Sequence, residues 1–373
     1  MRFVTFLISA IMIVSGCTPN GGQQEPEFSG RYAKGFILEK KDGITHATVY
    51  NPWSNARNIS MTYYLVNRDS VIPEALNGEK YIRTPVKRVI CLSTTHVAYI
   101  DALGETNSIA GISGSRYITN PDVRKRMEKG LVPDVGYGQN LNYELIVQQE
   151  PEVVILYGIG SEVTGQARKL EELGIRVIMM AEYLEETPLG KAEWIKFAGA
   201  LFEKEELADK YFRHVEQEYN RLKNLAAEKK PKPSVLVGSP YMDAWWVPGG
   251  RSYMANLIAD AGGDYPGKNN LSHESYVISF ENALEWASQA DVWINIGNLS
   301  SRQEIRAADE RFGMFRVFQQ GKVYNNIKRL SVHGGNDFWE SGTVNPHLVL
   351  QDLISIFHPD LTEGDLKYYQ EIR

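Results

Sequence analysis

Cysteine is almost absent from this chain. Of 373 residues only Cys17 and Cys91 are cysteines, too few for a disulfide-stapled framework. The common catalytic signatures are missing as well: there is no G-x-S-x-G elbow, no Walker-type phosphate loop and no H-E-x-x-H helix. The seven His residues are scattered, and no pair has the helical spacing of metal ligands. Gly158-Ile159-Gly160 is half of a dinucleotide fingerprint without its third glycine, and reads as turn geometry. An excess of basic residues is lacking too: the net charge of -6 argues against a nucleic-acid partner. The residues therefore predict no catalytic group, no protein-held metal and no resident cofactor.

What is present begins with an address. Arg2 precedes an apolar run from Phe3 to Val14, which is short for a membrane span and the right length for an export signal. Val14-Ser15-Gly16-Cys17 resembles a bacterial lipobox, in which the cysteine is acylated and becomes the mature N-terminus. The polar tract from Thr18 to Gly30 then reads as a tether. Lipid on Cys17 would hold the protein on the envelope membrane, facing the periplasm or the exterior, without a spanning helix. Cys91 is then left alone in VKRVICLS, where burial in a strand is the expectation.

Hydrophobic residues make up 43% and charged residues 23% of the chain, an ordinary globular balance. The organising stretch is Lys204 to Lys230. Its apolar residues Leu207, Tyr211, Val215, Tyr219, Leu222 and Ala226 recur every three or four positions, one buried stripe of a helix. Glu206 before Lys210 and Asp209 before Arg213 add i, i+4 pairs, and Pro231 and Pro233 end the run. Such a helix is roughly 40 Å long at about 1.5 Å per residue, enough to act as a stiff rod between two lobes.

On either side of the rod, short β-branched runs alternate with helical patterns. Before it stand 86–93, 108–113, 152–158 and 176–181; after it stand 234–240, 291–297 and 322–328. Alternation of this kind implies mostly parallel sheets covered by helices. Arg31 to Asp69 instead alternates with period two around Lys41-Asp42-Gly43, a hairpin signal. The predicted fold class is thus α/β: two lobes with mostly parallel sheets, one long rigid helix joining them, and a small N-terminal antiparallel β appendage packed on the first lobe. The boundaries are a signal peptide at 1–17, tether at 18–30, appendage at 31–84, first lobe at 85–186, a helix pair with the rod at 187–231 and second lobe at 232–373.

In parallel α/β sheets, ligands sit at the carboxyl ends of strands. The turns there supply Thr95 and His96, Arg116 and Tyr117, and Tyr157 in the first lobe. In the second they supply Tyr241, Trp245, Trp246, Arg251, Arg302 and Trp339. With 7 Trp and 20 Tyr in the chain, aromatics and guanidinium groups converging there would suit a bulky ligand with flat apolar parts and some acidic groups.

Several phrases in order, VKRVICLSTTHVAYIDALGE, NYELIVQQEPEVVILYG, LEELGIRVI, PLGKAEWIKFAGALFEKEELADKY, VPGGRSYMANLIADAGGDY and GKVYNNI, together with the lipobox, resemble the periplasmic-binding-protein family that serves iron-siderophore and vitamin B12 ABC importers. The likeness runs from about Pro85 to Pro359. It implies a monomeric binding protein that takes a ferric siderophore, or alternatively a corrinoid or haem, between two lobes and passes it to a permease dimer. It also implies that one surface Glu per lobe docks on that permease; Glu144 in YELIV and Glu281 in SFENAL stand at the matching positions. The appendage is outside the family core. A metallocofactor-handling enzyme on the same frame, and a direct zinc or manganese binder, are the alternatives from other classes.

Overall fold

The computed structural model describes residues 30–241 and 244–373. The signal peptide, Cys17 and nearly all of the tether lie outside the described residues. The chain opens with β1 (Phe36–Lys41) and β2 (Ile44–Tyr50), joined at Asp42 and Gly43 with φ of 50° and 78°. Two consecutive left-handed residues make the tight turn whose twist matches an antiparallel hairpin. β3 (Ser60–Asn67) pairs antiparallel with β2, but β4 (Tyr81–Thr84) runs parallel to β3. β1 to β3 form the expected antiparallel appendage; β4 joins it parallel to β3 because the connection from Arg68 to Lys80 carries the chain back before β4 begins, as parallel pairing demands.

The first lobe contains β5 (Val89–Cys91), α1 (Thr94–Ala102), β6 (Ile109–Ile112), α2 (Pro121–Glu128), α3 (Tyr143–Gln148), β7 (Val153–Leu156), α4 (Val163–Glu172) and β8 (Val177–Met179). Its sheet has the order β6-β5-β7-β8 and is parallel throughout. Every residue of these strands is buried, because helices cover both faces. Cys91 lies in the central strand, and burial pushes its thiol far above the ordinary range, so it packs and does not react.

Next come α5 (Pro188–Glu193), α6 (Ile195–Leu201) and the rod, α7 (Glu205–Ala227), unbroken over 23 residues. α7 buries Ala208, Phe212, Val215, Tyr219, Leu222 and Ala226. The expected stripe was one residue out of phase in its first turns: Leu207 is 41% exposed, and Tyr211 turns its hydroxyl to Asn345 at 2.7 Å. Ala208 takes the inner position because α6 crosses so close that a Cβ on Gly199 would lie 2.7 Å from the Ala208 methyl group. Asp209 and Arg213 form their ion pair, whereas Glu206 and Lys210 do not.

The appendage is fastened to this helical layer as well as to the first lobe. Phe36 packs on Trp194 and Phe197, with ring centroids 4.8 and 5.6 Å away. The fully buried Glu193 carboxylate accepts the backbone N–H groups of Arg31, Tyr32 and Ala33 at 3.0, 2.8 and 2.9 Å. Glu185 accepts from Lys34 and Gly35 at 3.0 and 2.9 Å and from the Trp194 indole at 3.0 Å. Two carboxylates thus supply the hydrogen bonds that a partly buried, non-ladder backbone segment requires.

The second lobe carries β9 (Val235–Val237), β10 (Pro240–Tyr241), β11 (Ala244–Val247), α8 (Tyr253–Asp260), β12 (Tyr276–Ile278), α9 (Phe280–Gln289), β13 (Val292–Ile294), α10 (Arg302–Ala308), α11 (Arg316–Gln319), β14 (Val323–Asn325), α12 (Ser341–Val344), α13 (Pro346–Phe357) and β15 (Gln370–Glu371). Its main sheet, β15-β14-β13-β9, is parallel except for the edge strand β15. A separate antiparallel sheet, β10-β11-β12, stands where turns were expected, and it places the Trp245-Trp246 pair.

Beyond the rod and the appendage, the lobes meet again between residues 115–120 and 329–340. Glu340 accepts from the backbone N–H groups of Thr119 and Asn120, both at 2.8 Å. Asp337 accepts from the Thr119 hydroxyl at 3.1 Å and from Arg329 at 2.5 Å. Gly335 approaches so closely that an added Cβ would sit 2.3 Å from the Tyr117 carbonyl oxygen.

Candidate functional site

Between the lobes lies a cleft of about 390 Å³. Its first-lobe wall is the segment from Tyr183 to Glu186, continued by Lys191 of α5; its second-lobe wall carries Trp246, Tyr253, Asn295 and Trp339. Trp246 is 49% exposed and Trp339 52% exposed. Large aromatic surfaces left wet along a concave space are unusual in a packed protein, and they make this cleft the candidate ligand site.

Local sequence explains how each wall is aimed. In β11 successive side chains alternate faces, so Trp245 points into the lobe and Trp246 away from it. Ser252 caps α8 by accepting from the Ala255 N–H at 3.2 Å, which fixes Tyr253 at the first helical position. Tyr183 follows β8, its hydroxyl donates to the Gly158 carbonyl, and burial raises its pKa to about 12. The Lys191 ammonium lies 4.6 Å from the centre of the Tyr253 ring. Burial lowers the lysine's pKa, and the Glu182 and Glu185 carboxylates oppose that shift.

A polar layer sits behind this wall. Thr95 donates its hydroxyl to Glu182 at 2.5 Å, and burial raises the Glu182 carboxyl pKa. His96 is wholly buried, edge-on to Tyr157 at 6.3 Å, with neither ring nitrogen hydrogen-bonded. Burial depresses it to about 3, so it is a neutral packing residue at ordinary pH.

The sequence-expected site residues fall into groups. Trp246 and Trp339 stand in the cleft. Tyr157 lines a smaller first-lobe cavity of about 220 Å³ with Tyr137 and Ile159. Arg116 stacks 4.5 Å over Tyr117 beside the second lobe junction. Arg251 is exposed just ahead of α8, and the backbone of Tyr241 belongs to β10. Two residues lie elsewhere. Trp245 is 2% exposed and packs against Trp293, Phe312 and Phe315. Arg302 opens α10 with its guanidinium 4.1 Å over Phe318, donating to the Phe318 carbonyl. The expected set of cleft arginines is therefore replaced by one lysine, Lys191.

The cleft also holds Tyr183, Lys191, Tyr253 and Asn295, which are outside the sequence-expected set. Tyr183 follows the fourth strand of its sheet, so the strand-end rule that found Tyr157 applies to it too. Lys191 and Tyr253 are embedded in helical patterns that give no such signal. Among the described residues no group of three or more His, Cys, Asp or Glu side chains is arranged to hold a metal. Glu144 and Glu281 are both exposed in the first turns of α3 and α9, where Asn142 and Ser279 cap the helices.

Comparison with known proteins agrees with this geometry. A family model described as periplasmic binding protein matches residues 89–325. An uncharacterized lipoprotein of Methanocaldococcus jannaschii is 30% identical over 356 residues, covering 90% of this chain and 83% of the relative. Among solved structures, a periplasmic heme binding protein from Pseudomonas aeruginosa superposes with a TM-score of 0.59 at 18% identity, over 77% of this chain and 98% of that one. An ABC-type Fe3+-hydroxamate transport system protein from Saccharomonospora viridis gives 0.55 at 18% identity, over 74% and 94%. These structures share the fold.

Proposed function

The chain belongs to the periplasmic binding protein family, and from that premise we propose that it is the lipid-anchored solute-binding protein of an ABC importer, which carries a ferric siderophore-type chelate between its lobes to a membrane permease. The observation that carries this reading is the interlobe cleft of about 390 Å³ with Trp246 and Trp339 half-exposed on one wall and Tyr183 on the other. Ring faces and one cation favour a bulky chelate with flat ligand groups over a bare ion, for which the described residues supply no cluster of three or more hard ligands. The names of the structural neighbours, one for heme and one for Fe3+-hydroxamate, support the same class. Haem or a corrinoid is the second reading, supported by the name of the heme-binding structural neighbour and by the aromatic lining of the cleft.

Anchoring follows from the lipobox at Cys17 and is supported by a relative described as a lipoprotein. On this reading residues 31–84 are the appendage, 85–186 and 232–373 the lobes, and 187–231 the strut between them. Glu144 and Glu281, one exposed on each lobe, are the permease contacts; single solvated ion pairs of this kind orient docking more than they strengthen it. The test is tryptophan fluorescence and calorimetry of the purified protein against ferric ferrichrome, cyanocobalamin and haem. Stoichiometric, reversible binding of one of these supports the reading, and absence of binding to all three overturns it.

A further inference from the structure

A second groove, of about 360 Å³, separates the appendage from the lobes. It shares Leu184, Glu185, Glu186 and His273 with the interlobe cleft, so the two run into one another. Its outer wall is the loop 51–59 between β2 and β3, a stretch outside the matched family segment. That loop is held in shape. Asn51 and Ile59 exchange backbone and side-chain hydrogen bonds at its base, at 2.8 and 3.2 Å. Asn51, Asn55 and Asn58 take the left-handed backbone, with φ of 45°, 65° and 57°, which asparagine tolerates better than other residues with a side chain. Trp53 packs its half-buried ring against the first-lobe core, and Ser54 stands beside it in the groove lining.

The charges facing this groove define what it can hold. Lys34 and Arg57 come from the appendage, and neither forms an ion pair among the described residues. Glu186 and Glu274 come from the lobes, and their carboxylates are likewise unpaired among the described residues, whereas Glu185 accepts from backbone and indole donors. An anionic arm would meet Glu186 and Glu274, and a cationic arm would meet Lys34 and Arg57. A neutral arm bearing both donors and acceptors, such as carboxamides or hydroxyls, satisfies both walls and is repelled by neither. Resting on the solute-binding reading, we propose that the appendage forms a third wall of the binding site, and that its groove takes a neutral, amide- or hydroxyl-bearing arm of the ligand whose rings occupy the cleft.

The experiment compares the wild type with Arg57→Ala, Lys34→Ala and the double variant, all solvent-exposed changes, and with Trp339→Leu as a control in the cleft. Cyanocobalamin carries carboxamide arms and ferric ferrichrome exposes the neutral amides of its cyclic peptide; haem carries two carboxylates and no amide. The expected result is that the double variant weakens the amide-bearing probe that the wild type binds by tenfold or more, leaves any haem binding within twofold, and that the loop 51–58 gains hydrogen-exchange protection with the amide-bearing probe. Unchanged affinity in the double variant, alongside loss in Trp339→Leu, overturns the groove and leaves the cleft reading intact. A wild type that binds only haem also overturns it. Failure of all three probes overturns the parent reading and this one together.

Discussion

Glu340 of the second lobe accepts the backbone N–H of Thr119 of the first at 2.8 Å, and the same carboxylate takes Asn120 at 2.8 Å. Burial, resisted by these donors, raises its pKa to about 7. For a carboxyl whose folded pKa is raised, the folded state binds more protons than the unfolded one between the ordinary Glu range and about 7, so stability falls as pH rises through that window. Melting temperature measured from pH 5 to 8 should decline more steeply in the wild type than in Glu340→Gln, which carries no charge to titrate. Equal slopes would show that the junction does not titrate.

That junction and the rod cross between the lobes at separate points, which leaves little freedom for a hinge. Small-angle scattering with and without bound ligand should show a change in radius of gyration below about 1 Å, within the range of pre-organised binding. A large compaction would contradict the strut.

Adjacent tryptophans should behave oppositely. Trp246→Leu and Trp339→Leu should reduce ligand quenching and affinity with little change in stability, because both rings face the cleft. Trp245→Leu should cost roughly 2–4 kcal/mol of stability through the cavity it leaves among Trp293, Phe312 and Phe315. Chemical denaturation and titration of the same three variants separate the effects.

Glu193→Ala should release the start of the appendage. Three backbone donors and the Lys196 ammonium lose their acceptor at once, an expected loss of about 3 kcal/mol or more. Limited proteolysis should then cut near residues 31–35 while the lobes remain resistant. Intact protection would mean that Phe36 and its neighbours suffice to dock the sheet.

Glu144→Ala and Glu281→Ala should leave ligand affinity unchanged and lower uptake by cells or proteoliposomes carrying the permease, the double variant most. Ligand binding that falls with uptake would place the two residues in the site instead of on the docking face.

Much of the architecture was legible because it is written in local periodicity. The alternation of short β-branched runs with helical patterns marked both sheets, and the run from Glu205 to Ala227 announced the rod. The phase of that helix was harder: Leu207 is the more apolar residue, but the crossing of α6 at Gly199 leaves room only for Ala208. The mixed pairing of β4 and the small sheet β10-β11-β12 escaped because neither follows from the strand's own residues. In the site, strand ends located Trp246 and Trp339, while Lys191 and Tyr253 came into the cleft from helices whose pattern reads as ordinary surface or core.

By itself the order of residues determined most of the elements, their sequence and the family, since hydrogen-bonded helices and strands answer to neighbours a few positions away. Tertiary structure decided which side chains meet. Trp245 and Trp246 differ by one position in β11, and strand parity sends one into the core and the other to the cleft. Which of the two faces the cleft depends on pairing with β10 and β12 and on what packs behind, contacts between distant segments that no local pattern contains.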